Sequence, residues 1–159
     1  MKNLAVARRY AKALLLISKD DGQTDFYQKE LSGFAELMEK DETLNQAVTN
    51  PLYEASVRRK VLQTVIDKLD ISGIMKSFLL LLFDKGRMSF IGPINDFYKK
   101  LADELNGIGR ASVISATELS EQTVERIQAA LSKKTNLDIV LQVEKDPELI
   151  GGIVTKIGD

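Results

Sequence analysis

The sequence predicts an α+β protein: an N-terminal six-helix bundle over residues 1–105, then a small β-α-β-β module over 106–159. Three observations carry this. Apolar residues recur at helical spacing through the first two thirds. The pattern breaks at Asn106-Gly107-Ile108-Gly109. Beyond it, Leu137, Ile139, Leu141 and Val143 alternate with Asp138, Gln142 and Glu144, interrupted by Val140, as in a strand with one buried face.

The first helix runs from about Leu4 to Lys19. At ~100° per residue, Val6, Ala7, Tyr10, Ala11, Ala13, Leu14, Leu15 and Ile17 cover an arc of roughly 200°, wider than the stripe a surface helix needs. Arg8, Arg9, Lys12 and Lys19 lie opposite. Phe26, Leu31, Phe34 and Met38 anchor the second helix, with Thr24 or Asp25 as its N-cap. The third carries Leu44, Ala47 and Val48 and stops near Asn50-Pro51, because the residue before proline disfavours helix. The fourth places Val57, Val61, Leu62, Val65, Ile66 and Leu69 at helical spacing, with Arg58-Arg59-Lys60 on a solvated face.

The fifth helix ends in Phe78-Leu-Leu-Leu-Leu-Phe83, preceded by Ile74 and Met75. The run is too short for a bilayer, which needs ~20 apolar residues. A helix apolar on every side is covered on every side. Gly86 supplies the left-handed residue of a helix stop, with Lys85 and Arg87 complementing the negative end of the dipole. In the sixth, Ile94, Phe97, Leu101 and Leu105 share a face, and Pro93 fits the first turn. Short connections between these helices favour antiparallel packing.

A short strand follows over Ala111 to Ala116. A helix starting at Ser120 presents Val124, Ile127 and Leu131, and after the turn-rich 145–152 a last strand alternates through Ile153, Thr155 and Ile157. Gly107-Ile-Gly109 lacks the third glycine and the following helix of a dinucleotide loop, and reads as a linker. Gly151-Gly152 precedes a strand rather than a helix, which suits a bulge or a close backbone approach.

Composition narrows the function. The chain has 159 residues, no Cys and no His. That removes disulfides, thiolate nucleophiles, imidazole bases and the usual zinc ligands. There are 16 basic and 15 acidic residues up to Leu105, and 6 and 8 beyond it, so neither part has the basic excess of a nucleic-acid binder. The start, Met1-Lys2-Asn3-Leu4-Ala5, leads directly into helix pattern, without a signal peptide's apolar core. Carboxylate or Lys chemistry survives this, but no pairing of such residues stands out, and no cofactor is expected. Helices one and five are apolar over more than the usual stripe: either they are central in the bundle, with alanines broadening helix one cheaply, or they form a groove for an amphipathic helix of another protein.

The chain resembles the F-type ATP synthase delta subunit family of bacteria and chloroplasts, which includes the mitochondrial oligomycin-sensitivity-conferring protein. The residues carrying this are Val6-Ala-Arg-Arg-Tyr-Ala-Lys-Ala-Leu14, Asn50-Pro51 with Arg58 beyond it, and the helix ending in Lys85-Gly86-Arg87. Val113-Ile-Ser-Ala116 with Leu119-Ser120, and Asp146-Pro-Glu-Leu-Ile-Gly-Gly152 with Ile157-Gly-Asp159, complete the set. The resemblance implies a non-catalytic stator subunit, monomeric within its complex, peripheral on the cytoplasmic face of the bacterial cell membrane. It implies that 1–105 caps the catalytic head and holds the N-terminal helix of an alpha subunit between helices one and five. The groove residues would be Val6, Tyr10, Ala13, Leu14 and Ile17 opposite Phe78, Leu79, Leu81 and Leu82. It implies that 106–159 engages the b subunits of the peripheral stalk. The family pattern continues past Asp159 with another strand and a final helix, so the usual C-terminal tail is expected to be missing. The alternative is a free-standing helical adaptor for an unrelated amphipathic helix.

Overall fold

The computed structural model describes residues 4–149 and 151–157; Met1-Lys2-Asn3, Ile150 and Gly158-Asp159, which the sequence reading used, lie outside them. Among the described residues are seven α-helices and a three-stranded sheet. The order is α1 (Leu4–Asp20), α2 (Thr24–Lys40), α3 (Glu42–Thr49), α4 (Ala55–Lys68), α5 (Gly73–Asp84), α6 (Ile91–Leu105), β1 (Ile108–Ser115), α7 (Glu121–Thr135), β2 (Asp138–Lys145) and β3 (Ile153–Ile157). The chain divides into two compact units, 1–102 and 103–159.

The helical unit has one continuous core. Leu14, Leu31, Phe34, Leu62, Leu79 and Tyr98 are among its fully or almost fully buried side chains. Tyr98 brings a phenol into this core, and its hydroxyl is satisfied there. It lies 2.8 Å from Ser18 Oγ and 3.0 Å from the Thr24 carbonyl oxygen, to either of which it donates, while Ser18 donates to the Leu15 carbonyl at 2.9 Å. Burial pushes the Tyr98 phenol above its usual pKa, partly offset by the Ser18 hydrogen bond. Tyr98→Phe is expected to lower stability in urea unfolding by about 1 kcal/mol, the net worth of such a bond.

Helix boundaries follow local chemistry. Gly86 has φ +64, and the Arg87 and Gly86 amides donate to the Leu82 and Phe83 carbonyls at 2.7 and 2.9 Å. This pair of bonds is a Schellman ending and satisfies two orphan carbonyls. The expected cap of α2 is corrected: Thr24 is already helical and Gln23 holds the cap position, with no side-chain cap bond. The Gln23 amide is engaged by the Ser18 carbonyl in closing α1, and the Gln23 carbonyl accepts from Tyr27, so helix two begins one residue early. Phe26, expected as an anchor, is about half exposed, and its neighbour Tyr27 is buried instead. Tyr27 donates to Asp21 at 2.8 Å, a bond that raises its pKa. Arg58, read as part of a solvated face, donates to the Tyr53 and Val48 carbonyls and lies 5.4 Å from the centre of the Phe83 ring. Arg59 pairs with Asp84.

In the second unit, β1 is the central strand, parallel to β2 and antiparallel to β3. A parallel pair needs a crossover, which α7 provides. Ser120 caps α7 by accepting from Thr123. The Gln128 amide donates to the Ile139 carbonyl at 2.7 Å, and Ser132 Oγ accepts from the Ile139 amide, so α7 covers part of the outer edge of β2. Asp103, in the last turns of α6 and almost buried, holds Arg110 of β1 through both carboxylate oxygens.

Several expectations change here. Gly109 is not linker but β1, and it is the place of close approach: a Cβ there would lie 2.7 Å from Ile139 Cδ1 and 3.2 Å from Leu137 Cδ1. At Gly152, by contrast, space is open, and φ +90 explains the glycine. Gly109→Ala is expected to cost about 1 kcal/mol, the low end of an overpacking effect because the atoms met are side-chain methyls of Ile139 and Leu137 that can shift, read as faster amide exchange across β1 and β2. The alternation in β3 does not mark a buried face, since Ile153, Thr155 and Ile157 are all exposed. Of the alternating β2 residues, only Ile139 is buried.

Candidate docking surface on helices one and five

The core side of α1 is Ala7, Ala11, Leu14 and Ser18. One flank away lie Val6, Tyr10, Ala13 and Ile17, an i, i+4, i+7, i+11 series that forms a single row. Val6 and Tyr10 are half-buried, Ala13 is exposed, and Ile17 is 42% exposed. On α5 the core side is Met75, Leu79 and Leu82, all fully buried. Its flank is Ile74, Phe78 and Leu81, again i, i+4, i+7. Ile74 is 39% and Leu81 44% exposed, and Phe78 is nearly buried.

The two flanks meet. The Tyr10 and Phe78 rings are in edge contact, with centroids 6.4 Å apart and planes at 70°. Such pairs add about 0.5–1.5 kcal/mol beyond their burial. Each of these residues is the second of its row, so the exposed members, Ala13 and Ile17 on α1 and Ile74 and Leu81 on α5, lie on the same side as the contact. The result is an apolar strip with an aromatic floor. On the other side of α5, Leu80 and Phe83 are half-buried against the core.

The expected groove residues therefore divide. Val6, Tyr10, Ala13, Ile17, Phe78 and Leu81 lie on the flanks. Leu14, Leu79 and Leu82 have no exposed surface and stand behind the strip as core. Ile74, which is not among the expected groove residues, joins it. Its signal was available, since it precedes Leu81 by seven residues.

What the fold and this surface define is a class: a mostly helical α+β protein with an exposed apolar strip along two of its helices. A family model for the ATP synthase delta (OSCP) subunit matches residues 6–159. The ATP synthase subunit delta of Desulfatibacillum aliphaticivorans is 55% identical over 159 residues, which is all of this chain and 87% of that one. Among solved structures, a Toxoplasma gondii mitochondrial ATP synthase hexamer contains a chain with a similar fold. Its TM-score is 0.67 at 15% identity, covering 93% of this chain and 83% of that one. A chain in the Polytomella F-ATP synthase, refined on its F1 head and rotor, aligns with TM-score 0.56 and 27% identity over 62% of this chain and 88% of its own. The chain belongs to the ATP synthase delta (OSCP) subunit family, whose members are non-catalytic parts of the ATP synthase.

Proposed function

We propose that this chain is the stator subunit that ties the alpha/beta head of a rotary F-type ATP synthase to its peripheral stalk. The head would turn with the rotor unless tethered, and a tether needs affinity and stiffness rather than chemistry. The observation that carries the reading is the uncovered apolar strip on both sides of the Tyr10–Phe78 contact. An amphipathic helix laid along it would remove Ile17, Ile74 and Leu81 from water at ~25 cal/mol per Å2, less the cost of ordering that helix. In this reading the occupant is the N-terminal helix of an alpha subunit, and residues 1–105 form a six-helix bundle that caps the head. Residues 106–159, with their β-α-β-β order, engage the b subunits. Membership of the family and the fold shared with ATP synthase chains support it. Among the described residues no helix is long and apolar enough to cross a membrane, which suits a peripheral place on the cytoplasmic face of a bacterial membrane.

The test is calorimetry of the full chain with a synthetic peptide of an ATP synthase alpha-subunit N-terminus, followed by chemical-shift mapping. Saturable binding with shifts at Ala13, Ile17, Ile74 and Leu81 is expected. Absence of binding, or shifts confined to other helices, would overturn this assignment and leave the free-standing adaptor.

A further inference from the structure

The first turn of α5 is completed by a residue that is not in α5. Ser72 is the N-cap, and its Oγ accepts from the Met75 amide at 3.2 Å. In a capping box the residue three positions on is Glu or Gln, whose side chain returns to the N-cap amide. Here that residue is Met75, fully buried in the core, and the first turn of α5 has no acidic residue. The carboxylate comes from α2 instead. Glu30 Oε1 accepts from the Ser72 amide and Oε2 from the Ser72 hydroxyl, both at 2.6 Å and across 42 residues of sequence.

Three effects converge in this contact. The N-cap amide, one of the orphan donors at a helix start, is satisfied. The hydroxyl proton is drawn to Glu30, which leaves an Oγ lone pair for the Met75 amide. A full negative charge stands at the positive end of the helix dipole. Ile74, the first exposed member of the α5 flank, is two residues beyond the cap, so any fraying of the first turn displaces it before Phe78 or Leu81.

We propose that Glu30 is a positioning residue for helix docking: by closing the cap of α5 from α2, it holds the Ile74–Phe78–Leu81 flank in the geometry that the docked helix meets. This rests on the docking reading above. The gain is preorganisation, because an α5 already ordered to its first residue leaves less entropy to be lost on binding.

The experiment uses the full chain and the alpha-subunit N-terminal peptide, at a temperature where circular dichroism shows every variant folded. Glu30→Ala is expected to weaken the peptide by up to about fivefold, the limit reached when the whole ~1 kcal/mol of a lost cap has to be regained on binding. It is also expected to speed amide exchange at Met75 while leaving that of Leu82 unchanged. Glu30→Gln, which keeps the shape and loses the charge, gives a smaller loss and serves if Glu30→Ala does not fold. Adding Ser72→Asp to Glu30→Ala restores a carboxylate at the cap and is expected to recover the affinity. Val48→Ala, a core truncation in α3, should lower stability and leave affinity alone. Wild-type affinity in both Glu30 variants overturns the role of Glu30 and leaves the docking reading standing. So does an equal loss in Val48→Ala, which would reduce the effect to general stability. If the wild-type chain does not bind the peptide, the docking reading falls first and the role of Glu30 falls with it.

Discussion

Leu82→Asp is expected to unfold the helical unit, whereas Leu81→Asp, one residue earlier, is expected to leave it folded. Leu82 has no exposed surface. Its loss removes a buried leucine, worth about 2–5 kcal/mol with the cavity left behind. The new carboxylate would be buried without a partner, which adds several kcal/mol more. Against a total stability of about 5–15 kcal/mol, that is enough to abolish the fold. The check is the far-ultraviolet dichroism of the variant at 25 °C, where loss of the native helix signal is expected. A cooperative, near-native melt would show that Leu82 is not the core residue described.

Leu81→Asp, alone or with Ile17→Asp, carries the second large effect, and it falls on binding. Leu81 and Ile17 are each more than two fifths exposed, so a carboxylate at either stays hydrated. Stability should change by no more than about 0.5–1 kcal/mol. Docking of an amphipathic helix would require both carboxylates to be desolvated against an apolar surface. A loss of at least about 100-fold in affinity for the alpha-subunit peptide is expected for the double variant, the size of a hot-spot loss. Calorimetry on the folded variant decides it, and unchanged affinity would move the docking site elsewhere.

The contrast between these neighbours shows where sequence reading stops. Periodicity gives angles around a helix, and it places Leu81 and Leu82 100° apart, but it does not say which direction is inward. In α5 nearly every direction is apolar, so the pattern holds no contrast from which to choose. The same ambiguity separates Phe26 from Tyr27: the wholly apolar ring is the expected anchor, yet the tyrosine, with Asp21 to accept its hydroxyl hydrogen bond, is the buried one. Where polar residues break the pattern, the reading holds better. Gly86 at the end of α5 and Ser120 at the start of α7 act as the local chemistry requires, because each cap is closed within a few residues of chain.

The flanks of the apolar strip are half legible in the sequence. The row Val6, Tyr10, Ala13, Ile17 follows from its spacing, and so does Ile74, Phe78, Leu81 once Phe78 is known to touch Tyr10. That contact joins residues 68 positions apart, and no local pattern encodes it. Glu30 lies further still from anything readable. As one charged residue in α2 it resembles any solvated Glu, and only folding brings it to Ser72.

By itself the sequence determined the family, the succession of helices and strands, and the absence of Cys and His that removes whole classes of chemistry. These depend on residue identity and on interactions within one or two turns of chain. Only the tertiary structure decided that β1 lies between β2 and β3, that Gly109 is where two strands crowd, and that α5 is capped by α2. It also decided which side of an almost wholly apolar helix stays exposed. Those features depend on which distant surfaces meet, and the free energy that selects among such meetings is spread over the whole core rather than written at any one position.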